Sequence, residues 1–332
     1  MELTFSFIVP VYNRPQEVEE LLQSLCTQTV SNFEVVIIED GSDIACDAVV
    51  DRYKDKLQIT YLFKSNSGPG PSRNYGMQRA AGNYFIILDS DCILPSHYMK
   101  SVQEALAKTY VDFFGGPDAA HKSFSSIQKA INFSMTSLLT TGGIRGSKNS
   151  VTTFQPRSFN MGLAKDAFRA SQGFGKIHPG EDPDLVLRLW KAGFKSRLLE
   201  KAYVYHKRRI SWSKFYTQVH KFGMVRPILN QWHPDSKKLT FWFPTLFLLG
   251  CIIAIIAGLL GWFLPLLLLA IYILMLFLLA LYQTHSLKIA LLGVVATAIQ
   301  FYAYGVGFLK STYYVGWRKF NPKKKFPQLF FK

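Results

Sequence analysis

Two kinds of apolar pattern alternate along the first two hundred residues. TFSFIVPVY is a continuous apolar run that stops at Asn13-Arg14-Pro15, as a strand buried on both faces does. Over Gln16–Gln28 the apolar residues fall back to helical spacing, with Val18, Leu21, Leu22 and Leu25 on one face. NFEVVIIEDGS repeats the strand pattern, ends at the acidic pair Glu39-Asp40 and predicts a second helix over about 44–56. QITYLFK predicts a third strand, the Gly/Pro-rich SNSGPGPSRN a loop, about 72–81 a helix and NYFIILDSD a fourth strand. Such alternation predicts a parallel α/β sheet covered on both faces, with ligands outside the carboxyl ends of its strands. Tyr12, Asn13, Asp40, Arg73 and Asp89 to Asp91 all fall on that edge. From about 110 to 157 the pattern weakens, with GGPDAAH and TTGGIRGSKN as loops around a helix at 123–140. FNMGLAKDAF then predicts a short strand entering a helix, residues 183–192 a helix stopped by Gly193, and SRLLEKAYVYH one strand.

Beyond residue 206 the pattern changes character. RRISWSKFYTQVHKFGMVRPILNQW sets aromatic and aliphatic residues (Trp212, Phe215, Tyr216, Val219, Phe222, Val225) among basic and polar ones, which predicts a basic amphipathic helix on a membrane surface. Three apolar stretches follow, at roughly 241–260, 262–282 and 289–309, each near the length that spans a hydrocarbon core. The expected organisation is an α/β domain at 1–206, an interfacial helix and linker at 207–238, two or three membrane helices at 239–312 and a basic tail at 313–332.

Charge follows the same division. The net charge of +16 would suit a nucleic-acid partner, but residues 1–200 hold 21 basic and 21 acidic side chains, whereas 201–332 hold 17 basic ones and a single acid, Asp235. The excess therefore flanks the apolar stretches, where Trp242, Trp262, Tyr282, Tyr313, Tyr314 and Trp317 also sit as interfacial anchors. A membrane partner is expected and nucleic acid is not. The first residues lack a basic segment and a long apolar run, so no signal peptide is expected and the α/β domain is placed in the cytosol. Four scattered cysteines (Cys26, Cys46, Cys92, Cys251) indicate neither a disulfide framework nor a zinc site. Three full crossings would put Arg318 to Lys325 opposite the cytosolic domain, against the positive-inside tendency, which leaves two or three crossings open.

The chemistry-bearing residues are acids. Asp89 and Asp91, one residue apart where the fourth strand ends, can share a hard divalent cation, with Ser90 between them. The same triplet recurs at Asp182-Pro183-Asp184, so the pattern alone decides little and its place on the sheet edge decides more. SGPGPSRN brings backbone and Arg73 close to a diphosphate, and it is neither a Walker A nor a dinucleotide loop. Glu181 and Asp182 precede a helix for which Asp184 serves as cap and packing residue. His206 reads equally as a metal ligand or a structural histidine.

SFIVPVYNRP, EVVIIEDGS, SGPGPSRNYGMQRAAGNYFIILDSDC, FNMGLAKDAF and GFGKIHPGEDPDLVLRLWKAGF, in that order over residues 4–206, resemble the family 2 inverting glycosyltransferases. The tail is similar to the membrane-bound bacterial branch that builds exopolysaccharide, capsule or O-antigen. The resemblance implies a GT-A nucleotide-sugar-binding, Rossmann-like mixed sheet followed by transmembrane helices, on the bacterial inner membrane. It further implies that Pro10, Val11, Tyr12, Asn13, Asp40, Arg73, Asp89 and Ser90 bind a nucleoside-diphosphate sugar, that Asp91 with Asp89 holds Mg2+ or Mn2+, to which His206 is the further ligand the residues themselves offer, and that Asp182, or alternatively Glu181, is the general base. Glu39 departs from the Asp-Asp usual before Gly-Ser. The implied acceptor is a lipid-linked, polyprenyl-diphosphate glycan. Alternatives are a polyprenyl-phosphate sugar synthase, a processive synthase, for which Gln218-Val219-His220-Lys221-Phe222 lacks the Arg-Trp of QxxRW, and a non-catalytic assembly scaffold.

Overall fold

The computed structural model describes residues 2–119, 124–142, 154–207 and 211–331. It divides into an α/β unit, residues 1–121, 144–207 and 331–332, and a helical unit, residues 122–143 and 208–330.

The α/β unit is built on β1 (Phe5–Val11), β2 (Phe33–Asp40), β3 (Ile59–Lys64) and β4 (Tyr84–Leu88). Every residue of β1, β2 and β4 is buried, which is why those segments read as continuous apolar runs. Two short strands follow, β5 (Cys92–Ile93) and β6 (Phe113–Gly115), then β7 (Asp118–Ala119), β8 (Asn160–Ala164), β9 (Ser196–Leu198) and β10 (Val204–His206). The large sheet runs β3-β2-β1-β4-β8-β6-β9 and is mixed: β3, β2, β1 and β4 are parallel, and β8 is antiparallel to both β4 and β6. Strand order reverses at β1, which lies between β2 and β4, so a crevice opens where Tyr12, Asp40 and Asp89 leave their strands.

Helices α1 (Pro15–Cys26), α2 (Asp47–Asp51), α3 (Pro69–Arg79) and α4 (Tyr98–Lys108) connect these strands. The second helix is shorter than the expected 44–56. The span expected as one strand, 196–206, is two: β9 closes the large sheet, whereas β10 joins β5 and β7 in a separate three-stranded sheet. A turn at Leu199–Ala202 separates them, and the Ala202 carbonyl is taken by Asn160 Nδ2 at 2.8 Å. That split sets His206 opposite Cys92, one residue from Asp91.

The helical unit begins with α5 (Ser126–Thr136) and α6 (Leu138–Thr141), where one helix at 123–140 was expected; residues 120–123 lie outside the described ones. The break is at Ser137, whose backbone is extended and whose hydroxyl caps α6. In the α/β unit α7 (Lys165–Ser171) and α8 (Glu181–Lys191) come next. The helical unit resumes with α9 (Trp212–Trp232), α10 (Phe243–Leu259), α11 (Leu264–Thr284) and α12 (Leu287–Ser311), the last prolonged by a π-helical turn over Thr312–Trp317. Three stretches, Leu239–Leu259, Leu264–Thr284 and Leu287–Trp317, are long and apolar enough to cross a membrane.

The expected open amphipathic face of α9 is corrected by the packing. Phe215 and Val219 are buried in one cluster with Ile131 and Met135 of α5 and Ala296 and Ala303 of α12. Gly223 lies against the Tyr304 backbone and Gly307 against His220, so α9 and α12 approach more closely than any larger residue would permit. An apolar stripe that packs on a neighbouring helix has the same periodicity as one that packs on lipid, which is why the sequence pattern does not separate them.

Candidate active site

Asp40 ends β2 with its carboxylate fully engaged. Oδ1 accepts from Ser67 N at 2.9 Å and Lys64 Nζ at 2.5 Å, and Oδ2 from Gly68 N at 2.8 Å. It therefore ties down the SNSGPGPSRN loop, in which Gly68 takes φ +91° at the start of α3, a conformation that suits glycine alone. Asn13, at φ +53°, does the same for the first turn: its Oδ1 accepts from Asp43 N and Ile44 N, and its N–H donates to Ser42 Oγ. Pro10 and Val11 are buried in β1, while Tyr12 is 49% exposed beside the crevice. Glu39, where an aspartate was the family expectation, is wholly buried. Its carboxylate accepts from Cys46 N at 2.8 Å, Tyr61 Oη at 3.0 Å and the Ser42 hydroxyl, a span of donors that supports the turn after β2.

Arg73, one turn into α3, is buried and bridges two acids. Nη2 donates to Asp89 Oδ1 at 2.7 Å and Nη1 to Glu181 Oε1 at 3.1 Å, with the guanidinium 5.2 Å from the Phe174 ring centroid. Glu181 opens α8 one residue after Gly180, and its carboxylate also meets His178 Nδ1 at 3.1 Å. The helix starts two residues earlier than expected because Gly180, at φ +119°, turns the chain, and Glu181, Asp182 and Asp184 then sit at the positive end of the helix dipole. Burial raises the Glu181 pKa, but the charges of His178 and Arg73 outweigh it and hold the carboxyl well below the usual range.

Asp182 is treated differently. Oδ2 accepts from Ser158 N at 3.3 Å, and Arg157 Nη1 stands 3.8 Å from Oδ1. Burial, with the neighbouring Glu181 charge, raises its pKa against the pull of Arg157 and Arg73. Of the adjacent acids, Glu181 is thus held as a counter-ion to Arg73, and Asp182 is the more readily protonated. Asp184 turns away and pairs with Arg188 at 2.9 Å, which ends the likeness between the two Asp-x-Asp triplets.

Asp91 lies where the cation was expected. Its Oδ1 is 3.2 Å from His206 Nε2, and Asp89 Oδ2 is 3.9 Å from the same nitrogen. Phe159 stacks on the imidazole at 4.8 Å, which fixes the ring with Nε2 toward Asp91 and Nδ1 toward the buried Asp118, 3.9 Å away. Ser90 is buried in the turn between the two acids. Cys92 also falls within the cluster, but its thiol donates to the Phe159 carbonyl, and burial followed by the Asp91 and Asp89 charges pushes it well up, so it stays a thiol. Carboxylate oxygens and one imidazole nitrogen suit Mg2+ or Mn2+.

Arg14, Arg157, Asp118 and His178 were not anticipated. Arg14 Nη1 donates to Asp91 Oδ2 at 2.7 Å. Its only sequence signal was its place directly after Tyr12-Asn13 at the end of β1, on the edge already marked for ligands.

Residues 6–168 match the sequence model "Glycosyl transferase family 2". An uncharacterized glycosyltransferase of Rickettsia felis is 42% identical over 86 residues, which are 26% of this chain and 14% of that protein. Poly(ribitol-phosphate) beta-N-acetylglucosaminyltransferase TarS of Staphylococcus aureus is 32% identical over 114 residues, 33% of this chain and 20% of TarS. These matches span a fifth or less of either relative's length. The crystal structure of TarS 1–349 with UDP-GlcNAc superposes with a TM-score of 0.51 at 20% identity over 95% of this chain and 92% of that one. Mannosyltransferase PcManGT from Pyrobaculum calidifontis, in complex with GDP-Man and Mn2+, gives 0.56 at 15% identity over 96% and 89%. At these identities the structures establish the fold, a GT-A-like mixed sheet, and residues 6–168, just under half of the chain, are similar to glycosyl transferase family 2.

Proposed function

We propose that the chain is a metal-dependent, inverting glycosyltransferase that moves one sugar from a nucleoside-diphosphate sugar to a lipid-linked glycan at the cytosolic face of a bacterial inner membrane. The observation that carries the reading is the division of labour around Arg73. Asp89 and Asp91 face the cation site on one side, and on the other Glu181 is neutralised while Asp182 keeps a raised pKa. TarS with UDP-GlcNAc and PcManGT with GDP-Man and Mn2+ support a nucleotide-sugar donor and a divalent ion.

In this reading the base and ribose lie over Pro10, Val11, Tyr12 and the loop that Asp40 and Asn13 hold in place. Asp91, Asp89 and His206 would hold Mg2+ or Mn2+, which when bound offsets charge on the departing nucleoside diphosphate. Asp182 takes the proton of the acceptor hydroxyl as its oxygen attacks the anomeric carbon opposite the diphosphate. The new C–O bond forms as the C–O bond to phosphate breaks, and the anomeric centre inverts. Arg73 holds Asp89 and Glu181 throughout, so the acid that ionises most readily is not the one that accepts the proton.

A donor screen on membranes, reading nucleoside diphosphate release with Mn2+, Mg2+ or EDTA and with lipid-diphosphate glycan or free sugar as acceptor, tests the proposal. It expects release that needs both a divalent ion and the lipid-linked acceptor; equal use of free sugar overturns the acceptor assignment, and release unaffected by EDTA overturns the metal one.

A further inference from the structure

The three apolar helices are not equivalent. Leu239–Leu259 and Leu264–Thr284 have mean hydropathies of 2.3 and 2.9 and are each 11% buried, whereas Leu287–Trp317 has 1.8 and is half buried. Between Lys238 and Lys288 the sequence has no Lys, Arg, Asp or Glu. At about 1.5 Å per residue, α10 and α11 are about 26 and 32 Å long, close to the thickness of a hydrocarbon core of about 30 Å.

The named contacts of helix α12 with this pair lie at the ends remote from the turn that joins them. Phe301 packs against Phe243 and Phe247 of α10 at 5.5 and 4.9 Å, and Thr245 Oγ1 donates to the Gly305 carbonyl at 3.1 Å. At the foot of α11, Ala280 clusters with Ala290 of α12. A third helix running alongside the pair would bury its outer length. Instead Ile253, Ile256, Leu259, Leu264, Leu267 and Leu268 are all more than half exposed. Helix α12 thus crosses the base of the hairpin, with other faces packed on α9 and α5 and an apolar stripe at Leu287, Leu291, Val295, Tyr302 and Leu309 left exposed.

Two further observations bear on which side of a membrane the rest of the chain occupies. The chain leaves the α/β unit at Lys207 and is part of it again at Phe331, whose N–H donates to the Lys176 carbonyl at 2.9 Å and whose ring lies 5.4 Å from His178. Any membrane entered between those residues is left again on the same side, so the number of crossings is even. Basic residues agree: Lys238, Lys288, Lys310, Arg318 and Lys325 all flank the hairpin or belong to α12 and the tail, and an even number keeps them with the α/β unit, as the positive-inside tendency requires.

We propose that α10 and α11 alone cross the bilayer, as a hairpin with its Gly258–Phe263 turn at the far face, and that α12 lies across the hairpin's base on the near side as a platform with α9 and α5. The bilayer covers the exposed apolar length of the hairpin, and the basic tail shares the side of the α/β unit. This rests on the membrane reading but not on the sugar, the acceptor or the base, so it stands or falls apart from enzymatic activity.

The test is labelling of the full chain in sealed native membrane vesicles of both orientations with a membrane-impermeant maleimide. Exposed Cys26 reports the side of the α/β unit, and Leu260→Cys and Lys324→Cys are each introduced separately, with Trp262→Cys as a second probe of the turn should Leu260→Cys not accumulate. The expected result is that Lys324→Cys and Cys26 react in one vesicle orientation and Leu260→Cys only in the other. If Lys324→Cys reacts together with Leu260→Cys, α12 crosses and the proposal is overturned. If all three react from one side, the hairpin does not traverse the bilayer and a second protein surface covers it, which also overturns it.

Discussion

The guanidinium of Arg73 lies 3.1 Å from Glu181 Oε1, and this pair fastens the Gly/Pro-rich loop and α3 to the start of α8 across 108 residues of sequence. Both side chains are almost fully buried, and Asp89 closes the triad at 2.7 Å. Removing one partner from a buried ion pair leaves an uncompensated charge, at a cost of about 3–5 kcal/mol. Arg73→Ala is therefore expected to lower the thermal midpoint by well over the effect of any exposed Arg→Ala control such as Arg79→Ala. Glu181→Gln should lower it too, whereas Asp182→Asn, whose partners are longer and fewer, should leave it nearly unchanged; thermal unfolding of the three variants in one detergent is the check.

Asp182 and Glu181 then separate by kinetics. General-base assistance contributes about 10²- to 10⁴-fold, so Asp182→Asn should reduce kcat by that order while donor affinity, measured by titration without acceptor, stays within about twofold. A Glu181→Gln variant that loses activity in proportion to its loss of folded protein supports a counter-ion role. Wild-type turnover by Asp182→Asn would exclude it as the base.

The pH profile carries a sign that depends on Arg157. Asp182 must be ionised to accept a proton, so activity should fall as pH drops through its pKa, which burial places above the ordinary carboxylate value of about 3.9. Arg157 favours the charged form. Arg157→Gln should therefore raise the pKa further and move the acid limb of kcat/KM to higher pH, with the alkaline limb unmoved. A shift to lower pH would contradict the assignment.

How far the site was legible in sequence follows from how each residue is held. Asp40, Asp89 and Asp91 end apolar strands, and the strand pattern alone puts them on one edge. The hydrogen bonds of Asp40 to Ser67 and Gly68 were not readable, because they join segments whose separation in space only the fold sets. Arg14, Arg157 and His178 act on Asp91, Asp182 and Glu181 through side-chain contacts that leave no periodicity. His206 was ambiguous because β9 and β10 read as one strand, and only their separation into two sheets brings the imidazole to Asp91. In the helical unit the limit was of another kind: Gly223, Gly305 and Gly307 carry the close approach of helices, and glycine has no hydropathy signal with which to announce it.

Arg14 donates to Asp91, with its guanidinium 2.7 Å from Oδ2 and 3.7 Å from Glu17. A divalent ion at Asp91 and His206 competes with that guanidinium for the same carboxylate, and the competition costs metal affinity whatever sugar or acceptor is present. Arg14→Gln should consequently bind Mn2+ more tightly in the absence of nucleotide, by several-fold and up to about tenfold, the equivalent of about 1.4 kcal/mol. Titration of free Mn2+ by electron paramagnetic resonance reads this directly, with Asp91→Ala as the variant expected to abolish binding. The Arg14 side chain is about one-third exposed, and a guanidinium that moves from Asp91 to an entering phosphate predicts that the same variant binds nucleoside diphosphate more weakly once Mn2+ is saturating. Opposite changes in metal and nucleotide affinity would distinguish an exchanging cation from a fixed one. If Arg14 were a fixed structural cation, Arg14→Gln would unfold the turn after β1 and weaken both.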